Sequence, residues 1–216
     1  METQSYRDYI KSFLSAIKFG SDDNYTLLST DGTQRAYGSA TCFDDLVSSL
    51  VARRLESTAG ALQYNYDNSS ITMQRNGNIT NTSDRLIFNK QIPHAFKAGS
   101  LMGLHIHWEQ TDATTREFTV QWRIQENREA KTEAWQTAII DTNTNNAFPY
   151  TSGTINQITT LIDIDLTGLN ISDTVQFRLA RTDAVNVDLE AVFVDAHIER
   201  DGLGSDEPFT KNEPVV

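Results

Sequence analysis

A two-residue alternation of apolar and polar side chains runs through the chain from about residue 85 to about residue 200. In Glu117–Ile124, Phe118, Val120 and Trp122 share one face and polar residues occupy the other, which is typical of a half-buried antiparallel strand. The same alternation recurs in DRLIFNKQI, LMGLHIHWEQ, WQTAII, INQITTLIDIDL, VQFRLART and LEAVFVDAHIE. These runs predict a mainly β fold, specifically an antiparallel, jelly-roll-like β-sandwich.

The first forty residues, 1–40, are predicted to form an N-terminal extension with one short helix. Apolar side chains recur there at spacings of three and four and stop before Gly20, and this period indicates an amphipathic helix. The apolar stripe of such a short helix is not stable when it stays exposed to water. We therefore expect it to contact another subunit through Tyr6, Tyr9, Ile10, Phe13, Leu14 and Ile17.

The body of the protein is predicted to extend over residues 41–200 and to contain a second helix near residues 44–56. Asp44 and Asp45 favour the positive N-terminal end of that helix, and apolar residues follow them near the helical period. Residues 57–84 are polar and rich in Asn, Ser and Thr. They predict a long surface loop with short pieces of strand.

The end of the sequence, residues 201–216, loses the alternation and contains glycines and prolines. These features predict an extended C-terminal tail, and we expect its Phe209 to take part in subunit contacts. The total length of 216 residues is enough for one hydrophobic core together with such extensions.

The charge of the chain limits its partners. There are 18 Lys and Arg residues against 29 Asp and Glu residues, which gives a net charge of −11. Sequence-independent binding of nucleic acid depends on Lys and Arg, so neither nucleic acid nor an anionic membrane is an expected partner. No apolar run approaches the roughly 20 residues of a membrane span, and no secretory signal is recognisable. Cys42 is the single cysteine, which excludes an intrachain disulfide.

The histidines are the sharpest candidates for chemistry. His105 and His107 fall on one face of a predicted strand, about 7 Å apart, and His197 in a later strand is a candidate third metal ligand. The spacing from Gly99 also matches the start of the cupin metal motif, but the glutamate that completes this motif is missing. A cupin-like metalloenzyme therefore stays as an alternative. Histidines that line a sheet face or a subunit contact are more frequent, so we predict no bound metal, no cofactor and no catalytic residue.

Other polar and aromatic residues give weaker signals. Asp163 and Asp165 share a strand face, and an acidic stripe that faces solvent explains them better than a calcium or glycosidase site. No nucleophile elbow or phosphate-binding loop is present in the sequence. Aromatic residues could form a shelf for sugar rings, which keeps a receptor- or glycan-binding module as an alternative: Trp108, Trp122, Trp135, Tyr64, Tyr66, Phe148 and Tyr150. Trp122 is in phase with the predicted core, whereas Tyr64, Tyr66, Phe148 and Tyr150 remain free to contact a partner.

Four short motifs occur in a fixed order along the chain. They are Asp-Asp-Leu at 44–46, Pro-His followed by Lys-x-Gly at 93–99, His-Ile-His-Trp at 105–108, and a terminal segment with His197 and Leu-Gly-Ser at 203–205. This ordered set, from about residue 42 to about residue 211, resembles a group of small virion proteins of tailed bacteriophages. Members of that group are described as phage structural proteins.

The resemblance implies a non-enzymatic part of the virion, present in many copies and assembled in the host cytoplasm. It would decorate or cement the capsid, or act as an accessory subunit at the neck or tail. Its partners would be other virion proteins and copies of itself, with a trimer favoured. The resemblance also implies a structural role, including buried pairing of His94 with the His105/His107 strand, for the motif residues Asp44, Asp45, His94, His105, His107, Trp108 and His197.

Overall fold

In the computed structural model, most of the described residues lie in β-strands. The described residues are 16–29, 34–40, 42–49, 62–65, 70–80, 84–126, 134–147 and 155–202. Within these ranges every pair of strands is antiparallel. The expectation of a mainly β, antiparallel fold is therefore confirmed. None of the helices in the described part of the chain combines the length and hydrophobicity that crossing a bilayer requires.

Fourteen strands and two short helical segments are described. The helical segments are a 3-10 turn at Gly38–Ala40 and one helical turn, α1, at Thr142–Asn145. The strands are β1 (Ala16–Gly20), β2 (Tyr25–Ser29), β3 (Gln34–Tyr37), β4 (Cys42–Asp45), β5 (Ser48–Ser49), β6 (Leu62–Asn65), β7 (Ser70–Met73), β8 (Leu86–Gln91), β9 (Leu101–Gln110), β10 (Glu117–Gln125), β11 (Gln136–Asp141), β12 (Ile155–Asp165), β13 (Thr174–Arg181) and β14 (Leu189–Arg200).

These strands form three sheets. β1, β2 and β3 form a small meander, and β11-β10-β13-β8 form a four-stranded sheet. The largest sheet has seven strands, of which five follow the order β12-β9-β14-β7-β6. Its central strand, β14, pairs with β9 along one edge and with β7, β5 and β4 in succession along the other. The seven runs with two-residue alternation correspond to β8 through β14.

Apolar side chains from the four-stranded and seven-stranded sheets belong to one buried cluster. In β9, Met102, Leu104, Ile106 and Trp108 are fully buried while the residues between them are partly exposed. Trp108 meets Phe118 of β10 edge to face, with ring centroids 5.8 Å apart. Alternation along each strand thus places one face in the shared core and leaves the other for solvent or partners.

The meander is joined to the larger sheets through its last strand. Arg35 forms an isolated antiparallel bridge with Gly202, and the Ala36 amide donates a hydrogen bond to the Asp201 carbonyl. A Cβ atom at Gly202 would lie 2.5 Å from the Gln34 carbonyl oxygen. Only glycine therefore allows the two backbones to approach this closely.

Both helix predictions are wrong where the structure describes them. Ile17, the last residue of the first predicted helix, lies in β1 and pairs with Leu28 of β2. The start of the second predicted helix, near residues 44–56, is formed by strands β4 and β5, which pair with β14. Hydrogen bonds to the edge of β14 override the local helical period, because secondary-structure propensity is weaker than tertiary pairing.

Several predictions concern residues outside those that the structure describes. The remainder of the second helix, residues 50–56, and the tail beyond residue 202 are among them. The segment 57–84, expected to be a loop with short strands, contains β6 and β7, and β7 contributes Ile71 and Met73 to the core. The predicted interface residues that lie outside the described part are Tyr6, Tyr9, Ile10, Phe13, Leu14 and Phe209.

Candidate functional site

The histidines of β9 lie on the outer face of the seven-stranded sheet. Leu104, Ile106 and Trp108 are buried in the core, so the alternation of the strand points His105 and His107 away from it. Both histidine side chains are partly exposed. The sequence prediction that they share one face is confirmed by this burial pattern.

Two neighbouring strands add acidic and imidazole side chains beside them. Asp195 of β14 pairs with His105 across the sheet, and His197 pairs with Gly103. On the far side of β14, Asp45 of β4 pairs with His197. Side chains from β9, β14 and β4 therefore converge in a single region, which we call the histidine–aspartate cluster: His105, His107, Asp195, His197 and Asp45.

Asp195 is at the centre of the histidine–aspartate cluster. One of its oxygens, Oδ2, lies 3.2 Å from His197 Nε2, and the other, Oδ1, lies 3.3 Å from His107 Nε2. His197 Nε2 is also 3.0 Å from Asp45 Oδ1. The rings of His105 and His197 have centroids 4.3 Å apart. One carboxylate thus lies within reach of two imidazoles.

The burial of this carboxylate is unusual for an outward-facing position. The Asp195 side chain is only 5% exposed. Its Oδ1 atom has no hydrogen-bond partner in the described residues, because His107 is not aligned for one, and His105 Nδ1 is buried and also lacks a partner. Buried polar atoms are nearly always satisfied, so two unsatisfied atoms in one cluster need an explanation.

Burial and a neighbouring imidazole disfavour the charged form of His105. Burial lowers the pKa of His105, and the nearby His197 would add a like charge that lowers it further. The absence of a side chain at Gly103 allows close packing beside His105, because a Cβ atom there would lie 3.1 Å from Asp163 Oδ1 and 3.6 Å from His105 Cε1. A neutral imidazole has a free lone pair and can serve as a metal ligand.

A buried lysine lies behind the cluster, on the core side of the sheet. Lys90 of β8 is 3% exposed, and its ammonium donates hydrogen bonds to the carbonyls of Leu46 and Val194, the latter at 3.3 Å. Burial lowers the pKa of Lys90 to about 8, and attraction to Asp195 opposes part of this shift. This side chain crosses from one sheet to the other directly behind Asp195.

The structure separates the other motif residues from this cluster. His94 is exposed, so the expected buried pairing with the His105/His107 strand is wrong. Trp108 is in the core, where its Nε1 donates a hydrogen bond to Thr159 Oγ1 at 2.9 Å. Asp44 Oδ2 accepts a hydrogen bond from Arg200 Nη1 at 3.0 Å.

The three histidines suggested as metal ligands, His105, His107 and His197, lie on one face of the sheet. The rings of His105 and His197 contact each other, whereas His107 packs elsewhere. Its ring stacks on Phe193, with centroids 4.0 Å apart and an angle of 19°. Asp195 takes its place beside His105 and His197. Sequence reasoning missed Asp195, although its position two residues before His197 is the same signal that selected the His105/His107 pair.

Among the aromatic residues suggested as a sugar shelf, Trp108 is buried in the core, Trp122 packs against the core, and Trp135 is partly exposed. Guanidinium groups lie over the Trp135 ring, that of Arg178 at 3.7 Å and that of Arg123 at 4.6 Å from the centroid. The ring therefore already contacts protein groups where a sugar would stack.

No protein-family model and no curated protein matches this chain. We therefore infer its function from its own residues and their geometry. The histidine–aspartate cluster supplies imidazole and carboxylate groups that can bind protons or a cation. The outer face also carries exposed apolar side chains that can contact another protein, among them Phe43 and Leu101.

Proposed function

We propose that the protein is a non-enzymatic structural subunit of a tailed-bacteriophage particle. It would act as a decoration or cement protein on the capsid, or as an accessory subunit at the neck or tail. One observation carries the proposal: those parts of the motif segments that the structure describes, although far apart in sequence, pack together around β14.

The contacts between these segments are direct. β4, with the Asp-Asp-Leu motif, and β9, with the His-Ile-His-Trp motif, both pair with β14. The Pro-His…Lys-x-Gly segment joins them, because the Lys97 amide donates to the Glu199 carbonyl at 2.8 Å and Lys97 Nζ lies 2.8 Å from Glu199 Oε1. The Asp201 amide also donates to the Ala95 carbonyl at 3.1 Å. A motif set built around one strand supports a shared scaffold more than a shared reaction.

The body proposed for this role is a jelly-roll-like β-sandwich over residues 41–200, made from the two larger sheets. Residues 1–40 and 201–216 would extend from it and contact neighbouring subunits. The apolar exposure near the motif segments supports subunit contact, since Phe43 is 73% exposed and Leu101 is 54% exposed.

The proposed partners are copies of the same chain, with a trimer favoured, and other virion proteins such as the major capsid protein or neck and tail proteins. Symmetric homo-oligomers are the common way in which small subunits build such contacts. The net charge of −11 keeps unassembled copies soluble and gives no grip on nucleic acid or an anionic membrane. The assembled protein would be located in the virion.

The test is to purify the phage particles and identify their proteins by mass spectrometry, followed by cryo-electron microscopy of the same particles. We expect the chain in stoichiometric amounts and density for its β body at a repeated site on the head, neck or tail. Complete particles that lack the chain, while the lysate contains it, would contradict the proposal. Particles from a phage with the coding sequence deleted are the control for assignment of the density.

A further inference from the structure

We propose that His105, Asp195 and His197 bind a divalent transition-metal ion such as Zn²⁺. This proposal does not depend on the role of the protein in a particle. It takes up the metal-binding alternative for the histidines, but with Asp195 in place of His107.

The donor atoms are already close to the arrangement that a metal needs. One ligand atom from each of His105, Asp195 and His197 lies within 4.8 Å of the others. In a tetrahedral zinc site with bonds of about 2.0–2.2 Å, neighbouring donor atoms are about 3.3 Å apart. The distance from His197 Nε2 to Asp195 Oδ2, 3.2 Å, is close to that value.

The unsatisfied atoms favour a cation over a network of ion pairs alone. Contacts with two carboxylates account for His197. They do not account for His105 Nδ1 or Asp195 Oδ1, which are buried and have no hydrogen-bond partner in the described residues. A bound cation in the cluster would give the carboxylate of Asp195 a partner for its charge. It would also give the imidazole of His105 a role that no neighbouring side chain supplies.

The chemistry of the ligands indicates which cation. Two imidazoles with a carboxylate suit Zn²⁺ and related transition metals, whereas Ca²⁺ and Mg²⁺ prefer sets made of oxygen atoms. His107, whose Nε2 lies 3.3 Å from Asp195 Oδ1, would remain outside the ligand set.

The three ligands come from two strands, which defines what the ion would do. His105 is on β9, and Asp195 and His197 are on β14. The metal would therefore cross-link these two central strands of the sheet. Structural zinc sites stabilise folds in this way, by binding the folded state and not the unfolded chain.

The experiment is a calorimetric titration of the full chain with ZnCl₂, after removal of metals with a chelator and dialysis, and with MgCl₂ as a comparison. We expect one saturable Zn²⁺ site per chain and no Mg²⁺ site. His105→Ala, His197→Ala and Asp195→Asn should each weaken the binding at least 10-fold. His94→Ala removes an exposed histidine outside the cluster and should leave the affinity unchanged.

Thermal unfolding gives a second readout. At a Zn²⁺ concentration about 100 times the Kd, Tm of the unaltered protein should rise by roughly 5–10 °C, and Tm of His197→Ala should not rise. Far-UV circular dichroism verifies that each variant keeps its β-structure. If Asp195→Asn does not fold, His105→Ala and His197→Ala decide the result. Absence of a saturable Zn²⁺ site, or equal loss of affinity in His94→Ala and His197→Ala, would overturn the proposal.

Discussion

Lys90 shows how a single charged residue can be fixed inside this fold. Its place in the alternation of β8, after Leu86 and Phe88, puts it on the buried side of the strand. Its ammonium is satisfied by carbonyls of the opposite sheet, those of Leu46 and Val194. The alternation predicts the direction of this side chain, but not its partners, because they belong to strands that come from other parts of the sequence.

The stability of the protein should therefore depend on pH through Lys90. Its pKa is about 8 in the folded state and 10.5 in the unfolded state, so between these values the unfolded chain holds a proton that the folded one has lost. The free energy of unfolding should then rise with pH by about 3 kcal/mol from this group alone. Urea unfolding at pH 7.5, 8.5 and 9.5 measures the first part of this rise, about 2 kcal/mol. Lys90→Met should remove this part of the rise, and Lys18→Met, at an exposed position, should keep it.

Arg181 and Asp183 form a second buried charged group. The Arg181 side chain is fully buried, and it donates to both oxygens of Asp183, at 2.9 Å and 2.8 Å, and to the carbonyls of Met73 and Val185. Burial alone would raise the pKa of Asp183, but the hydrogen bonds from Arg181 and from the amides of Glu117 and Val185 outweigh it and hold the pKa below its usual value.

We expect Asp183→Asn to lower the free energy of unfolding by about 3 kcal/mol or more at pH 7, because it leaves the Arg181 charge buried without its partner. The folded-state pKa of Asp183 is below its unfolded value of 3.8, so this stabilisation is present above pH 4 and is lost as the pH falls below it. Urea unfolding at pH 7 and pH 3 tests this. A difference of equal size at both pH values would contradict it, and Asp188→Asn, at an exposed position, is the control.

At the scale of secondary structure, the long strands could be predicted and the short ones could not. β9 and β12 to β14 have eight or more residues, which is enough for the alternation to be recognised. β4 and β5 have four and two residues, and their sequence has a helical period that only pairing with β14 overrides. The histidine pair on β9 could be predicted from the same alternation that predicted β9. The places of Asp195 and Asp45 in the histidine–aspartate cluster could not, because they depend on pairing between distant segments.

Hydrogen exchange should distinguish the strands by their position in the sheets. β9 and β14 have paired neighbours on both sides, whereas β1 ends the small meander, where Lys18, Phe19 and Gly20 are exposed. Amides open more readily where few buried contacts protect them. We expect the amides of β9 and β14 to exchange slowest and those of β1 fastest, measured by mass spectrometry on peptides of the intact protein. Equal protection of β1 and β14 would contradict this expectation.

At the scale of the whole molecule, exposed apolar side chains lie at one end of the outer face of the large sheet. Phe43 pairs with Glu199 in the register of β4 and β14, and Leu101 begins the adjacent strand β9. Both side chains are more than half exposed. Such a patch close to the motif segments fits a contact between copies of the chain.

The double variant Phe43→Ser with Leu101→Ser should therefore shift the protein from an oligomer towards the monomer. Light scattering coupled to size-exclusion chromatography at high micromolar concentration gives the masses of the unaltered protein and of the double variant. Ile139→Ser is the matched control, because Ile139 is 66% exposed but lies on β11, at the edge of the other sheet. A monomeric unaltered protein, or the same shift in Ile139→Ser, would contradict this assignment of the contact.

The position of β14 in the sequence also has a consequence for synthesis on the ribosome. β4, β5 and β7 are made early, but the strand to which they attach spans residues 189–200. Until β14 has left the exit tunnel, β4 and β5 have no partner among the described strands and β7 can pair only with β6, so the apolar residues of these segments stay available to other chains. The large sheet must therefore close after most of the polypeptide has been translated, and nascent chains arrested before residue 189 are the species most exposed to aggregation and to chaperones.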